Sequence, residues 1–212
     1  MGREGTQKKT TRRTAAKRPE PPMLPQARVA GAVATMAEPK GTARFGAGKV
    51  LCVTARKDPS RVYPHLDEIA ALLDSESKVV RWNALQLMGL LARVDDERKL
   101  DSYLDAYLGI ITGGNLISAA NAIQGAGLIA QSRSDLVERV VRVLLSVEQA
   151  TYDTDECRNV ALGHVLKVLQ ALGPSVLSRP AVTEFIRRQE GNTRAAVARH
   201  AAKLAAGLPG GA

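Results

Sequence analysis

The feature that most constrains this chain is that it repeats itself. Setting Arg44, Arg81, Ala119, Arg158 and Arg194 in register leaves intervals of 37, 38, 39 and 36 residues. Three positions on stand Ala47, Ala84, Ala122, Ala161 and Val197; seven on, Leu51, Met88, Ala126, Val165 and Ala201; ten on, Thr54, Leu91, Ile129, Val168 and Leu204. Offsets of three, seven and ten trace one face of a helix with about 3.6 residues per turn, so the spacing predicts five equivalent first helices. Second helical patterns follow the first four, over residues 62–73, 97–111, 135–147 and 181–189. Asp58-Pro59-Ser60, Asp95-Asp96, Ser134-Asp135 and Ser178-Arg179-Pro180 precede them, acceptors and prolines that suit a helix start. Two helices repeated at this period form a unit that hides its apolar side only against its neighbours, which predicts a stacked solenoid.

Composition agrees with helices. The chain is 45% hydrophobic but only 3% aromatic, so burial rests on Leu, Val, Ile and Ala, a palette suited to packed helices. No apolar run approaches the roughly 20 residues that span a bilayer. Cys52 and Cys157 each lie inside a helical pattern, outside any C-x-x-C unit, so neither a disulfide framework nor a zinc site is expected and a cytoplasmic protein is.

The residues of the first helices also carry a family likeness. Lys78-Val79-Val80-Arg81-Trp82-Asn83-Ala84-Leu85 and the Leu-rich turn after it resemble a HEAT repeat, with its Val-Arg, then Ala, then small residues and Leu. Cys157-Arg158-Asn159-Val160-Ala161-Leu162 and Thr193-Arg194-Ala195-Ala196-Val197 keep the pattern, while the unit at Asn115 departs from it, with Ala119 in place of the Arg. The Trp, Leu-Gly and Tyr pattern of tetratricopeptide repeats is absent. The resemblance to HEAT/armadillo-type repeats implies an all-α, right-handed α-solenoid of about four and a half two-helix units over residues 41–208, with a short disordered end at 209–212. It also implies that the second helices line the concave surface. Such repeats serve scaffolds, transport receptors, DNA-binding proteins and a few enzymes, so the fold does not choose a function.

Residues 1–40 read differently. They combine Lys, Arg, Thr, Pro and Gly with little to bury, which predicts a disordered basic, Pro-rich tail and linker. Residues 1–20 hold seven bases and two acids, whereas Phe45 onward holds 20 bases and 18 acids, so the high net charge of +9 belongs mainly to the tail and linker. A chain starting at Met36 would also fit this boundary.

No catalytic constellation is legible. His65, His164 and His200 lie in three separate units without a Cys or His at ligand spacing, Gly46-Ala47-Gly48-Lys49 falls short of a phosphate loop, and no nucleophile elbow is present. No catalytic residue, metal site or cofactor is therefore expected. Asn83, Asn121 and Asn159 recur at intervals of 38 and are candidates for a polar ladder, or for bonds to neighbouring backbone and loops. On the second helices Asp67, Glu68, Asp101 and Asp105 are acidic and Arg187 and Arg188 basic, with Arg139 and Arg142 between them; this gradient is a candidate surface for orienting a charged partner. Two functions compete: a non-catalytic scaffold binding a protein or peptide along the concave face, or a nucleic-acid binder, similar to HEAT-like DNA glycosylases or using Lys8, Lys9, Arg12, Arg13, Lys17 and Arg18 of the tail on phosphates.

Overall fold

The computed structural model describes residues 20–208, and among them the secondary structure is helical throughout, with a single isolated bridge between Gly114 and Tyr152. The tail bases Lys8 to Arg18 and residues 209–212 lie outside the described residues. The helices run α1 (Val29–Ala37), α2 (Ala43–Lys57), α3 (Leu66–Ala70), α4 (Lys78–Leu91), α5 (Leu104–Gly109), α6 (Leu116–Ser132), α7 (Val137–Ser146), α8 (Asp155–Leu172), α9 (Pro174–Leu177), α10 (Pro180–Gln189) and α11 (Ala195–Ala205). The five first helices are α2, α4, α6, α8 and α11, and they pack in that order into one continuous layer. This is an all-α solenoid of armadillo/HEAT-like repeats.

The recurring Arg at the start of a first helix has a local job. Arg44 donates to the Pro39 carbonyl at 2.7 Å and Arg81 to the Ser75 carbonyl at 2.8 Å, each tying its helix to the loop before it. Where the Arg is missing, Asn115 caps α6 instead, its side chain accepting from the Ser118 N–H at 3.0 Å. Thr154 does the same for α8, with Asp155 and Glu156 in the first turn. Acceptors and negative charge at a helix N-terminus satisfy its free N–H groups and its dipole.

Between the first helices lies an outer layer that is less regular than the sequence suggests. Residues 59–74 are two 3₁₀ turns, α3 and a further 3₁₀ turn, and residues 99–112 are a 3₁₀ turn, α5 and another 3₁₀ turn. Pro64 lacks a backbone N–H and sits within the 3₁₀ turn Tyr63–His65, and Arg98, with φ of 57°, turns the chain just before Lys99.

The segment expected to be a flexible linker requires correction. Residues 29–37 form α1, which packs along α2 and buries Val29, Val33 and Met36. The cause is legible afterwards: these three apolar residues stand at i, i+4 and i+7, and Gly31 faces open space. A chain starting at Met36 would lose most of this helix. The boundary of the folded body therefore lies before residue 29.

Candidate functional site: a groove along the first helices

The sidedness of the stack follows from how closely each layer is spaced. First helices meet through glycines: a Cβ added to Gly89 would stand 2.6 Å from the Gly125 Cα, one added to Gly125 would stand 2.9 Å from the Leu85 carbonyl oxygen, and one on Gly127 would stand 2.8 Å from Val168. Outer elements of successive units are linked by long charged side chains, as in Arg179 to Glu138 at 2.7 Å and Arg188 to Glu148 at 2.9 Å. A two-layer stack bends toward its more closely spaced layer, so the first helices form the inner, concave face. This packing argues against the expectation that the second helices line it.

On that inner face three depressions of about 220, 300 and 270 Å³ adjoin one another. The first, from Arg56 across Gln86 and Leu90 to Gln124, shares Gln124 and Leu128 with the second; the second shares His164 and Lys167 with the third, which reaches His200 and Arg194. Together they make one groove crossing α2, α4, α6, α8 and α11. Its walls are amides, Leu, Val and Ala, with Arg56, Lys167 and Arg194 as charges and no carboxylate. No aromatic residue lines it.

The side chains of this face are tied across units mostly by uncharged hydrogen bonds. Trp82 Nε1 donates to Ser118 Oγ at 3.2 Å, Gln86 Nε2 to Asn121 Oδ1 at 2.8 Å, and Gln124 Nε2 lies 3.4 Å from His164 Nδ1. At the last step Arg194 pairs with Glu156. The imidazoles of His164 and His200 are both held below the ordinary histidine range, by burial first and by the Lys167 charge next. The three asparagines of the expected ladder do not touch one another. Asn121 donates to the Ile117 carbonyl at 2.8 Å, Asn159 donates to Thr193 Oγ1 at 2.9 Å and accepts from Asn192, and Asn83 lies against Gly48 with its buried Nδ2 unpartnered.

The eight charged residues singled out from the sequence all lie on the outer layer. Asp67 accepts from Tyr103 Oη at 2.8 Å, Glu68 pairs with His65, Asp101 accepts from Arg133 and Arg98, Asp105 pairs with Arg139, and Arg188 grips Glu148 and Glu184. Arg142 and Arg187 are exposed. Most of this set therefore knits neighbouring units together. At its centre is Asp95, with no exposed side-chain surface, which accepts from Tyr63 Oη at 2.8 Å, from the Leu100 N–H at 3.3 Å and from Arg133 at 2.9 Å.

The groove residues were missed, although the repeat register held a signal. Gln86 and Gln124 both stand five positions after their register residue, Arg81 and Ala119; His164 and His200 both stand six after theirs, Arg158 and Arg194. Charge also separates by layer. The first helices α2, α4, α6, α8 and α11 hold ten Lys or Arg and two acids, Asp155 and Glu156, while residues 59–74, 92–112, 134–149 and 174–189 hold nine bases and twelve acids. The near-neutral body is thus a basic inner layer backed by a mildly acidic outer one.

Among the described residues no group of three or more His, Cys, Asp and Glu gathers as a metal site, and no helix is long and apolar enough to cross a membrane. Cys52 is buried and free, its thiol pushed up to about 12 by burial, and Cys157 is free and half-buried. Compared with known proteins, the chain matches no family model and no curated sequence. Among solved structures it is similar to a designed armadillo repeat protein, with a TM-score of 0.54 at 12% identity, over 84% of this chain and 81% of that one.

Proposed function

We propose that this armadillo/HEAT-like solenoid is a non-catalytic scaffold whose inner groove binds one extended polypeptide segment of acidic character. The observation that carries the reading is the continuity of the groove: its depressions share lining residues from end to end, with amides and leucines on α4 and α6 and with histidine, lysine and small aliphatic side chains on α8 and α11. An extended chain exposes backbone N–H and C=O groups on both edges, and Gln86, Gln124 and Gln131 offer both donors and acceptors to them. Leu90 and Leu128 give apolar contact between these amides. The excess of bases on the inner layer favours acidic side chains on the partner and speeds its encounter.

The test is residue-level mapping of a pool of acidic, extended peptides on the isotope-labelled protein. Shifts should track α4, α6 and α8, and Leu128→Arg, which fills the channel at its middle, should abolish them while leaving the fold intact. Shifts confined to the outer layer would sink the reading.

The same basic layer favours a second reading, binding of a nucleic-acid backbone, which the tail bases would strengthen. The lack of aromatic residues in the groove counts against stacking of single-stranded bases. Titrating DNA and RNA at low salt onto the full chain and onto residues 20–212 separates the two. Affinity retained by the shorter chain and removed by charge reversal of Lys49 and Lys167 would favour nucleic acid; affinity lost with the first 19 residues would assign it to the tail.

A further inference from the structure

We propose that the depression between α8 and α11 is an oxyanion pocket that receives a phosphate monoester carried by the segment in the groove. The proposal rests on the groove reading above and names what its C-terminal end would recognise. The cavity, of about 270 Å³, is walled by His164 and Lys167 from α8, by His200 and Val197 from α11, and by Arg194 at the α11 N-cap. It has room for a tetrahedral anion, given about 30 Å³ for a water molecule in the liquid.

Four nitrogen-bearing side chains reach this cavity from two helices, and no carboxylate lines it. Lys167 has no ion-pair partner among the described residues, and its charge already presses on both imidazoles, so positive potential is concentrated here without a protein counter-charge in the wall. Of the Lys and Arg side chains lining it, only Arg194 is ion-paired, with Glu156 outside the lining.

The flanking amides prepare the imidazoles as donors. Gln124 Nε2 faces His164 Nδ1, which leaves the His164 proton on Nε2; His200 Nε2 lies 2.9 Å from Gln170 Oε1 and donates to it, which leaves Nδ1 to gain a proton when an anion arrives. A carboxylate would be satisfied by Lys167 alone. A phosphate monoester carries close to two charges and three acceptor oxygens at neutral pH, enough for Lys167 and both imidazoles together.

Inorganic phosphate, titrated onto isotope-labelled full-length protein against chloride at matched ionic strength, tests the pocket directly. The imidazole resonances of His164 and His200 are expected to move saturably while those of His65 stay still. A pool of phosphoserine-centred peptides and its unphosphorylated twin tests the source of the anion. Lys167→Met should weaken phosphate and the phosphorylated pool on the order of tenfold or more and leave the twin unchanged, as loss of a charge-assisted bond implies, whereas Arg142→Met, exposed on α7 of the outer layer, should change neither. Equal shifts in chloride, or a Lys167→Met protein that binds phosphate like wild type, overturn the pocket. Phosphate binding without any gain for the phosphorylated pool overturns the peptide-borne source. Failure of the groove itself reads out separately, as a twin pool indifferent to Leu128→Arg.

Discussion

The inner and outer layers of this stack are held by different physics. Inner helices meet backbone to backbone at Gly89 and Gly125, and α6 carries no charged residue at all. Outer elements reach one another through ion pairs that leap a whole unit: Arg98 to Asp135, Arg133 to Asp101, Arg139 to Asp105, Arg179 to Glu138, Arg188 to Glu148. Close-packed contacts admit little adjustment, while exposed pairs between long side chains tolerate it. The inner layer therefore fixes the geometry of the groove, and its bases, Lys49, Lys78 and Lys167 among them, are not consumed in holding the stack together. Charge in the outer layer is mostly structural; charge in the inner layer is left available to a partner.

The contrast predicts a graded set of outcomes. The largest belongs to the one outer carboxylate that is fully buried. Asp95→Ala leaves the Tyr63 hydroxyl, the Leu100 N–H and one Arg133 nitrogen without their acceptor, while Asp101 and Asp135 still hold the rest of that guanidinium, and orphaning buried polar groups of this kind costs about 1–3 kcal/mol each; urea unfolding should show it, and a loss no greater than that of a surface pair would deny Asp95 its role as hub. Next comes the inner contact. Gly89→Ala drives a methyl against the Gly125 backbone, which cannot rotate aside, and overpacking of this sort costs about 1–3 kcal/mol. A melting temperature equal to wild type would mean that the inner layer yields where the comparison says it does not.

Acid should act on the outer layer before the inner one. The Arg133 guanidinium, bonded to Asp135, holds that carboxyl down to about 2, below its ordinary value of about 3.9. A depressed folded-state value means that the stabilisation is complete above the unfolded value and is lost as pH falls from near 4 through 2. Asp135→Asn should flatten the stability profile in that window and leave it unchanged near neutrality. The smallest effect is expected at the exposed pair: Asp105→Ala removes the partner of Arg139 with no measurable change in melting temperature.

Much of the fold was legible because repetition amplifies weak signals. Arg44 and Arg81 declare the register because each ties its helix to the loop before it, while Arg158 and Arg194 keep the position but pair with Asp155 and Glu156 of α8 instead. The Asn115 cap could be read only as a breaker, because its partner is a backbone N–H. Helix α1 escaped notice because Ala, Gly and Thr surround its three apolar residues, and only packing on α2 makes that thin stripe worth ordering. The groove escaped for a different reason. Which layer lies inside depends on glycine contacts between units 36 to 40 residues apart, and those residues look merely permissive in one dimension. His164 and His200 occupy equivalent positions, yet their meeting around Lys167 depends on how α11 settles against α8.

The glycine contact between α4 and α6 finally sets a unit of length. Helices in contact stand about 8–10 Å apart and an extended chain advances about 3.3 Å per residue. For a partner lying along the groove, each repeat thus meters out roughly two to three of its residues. Because backbone rather than side chain fixes that interval, the stack would act toward such a partner as a ruler with rigid graduations: inserting one residue into a bound segment would throw every side chain beyond the insertion out of step.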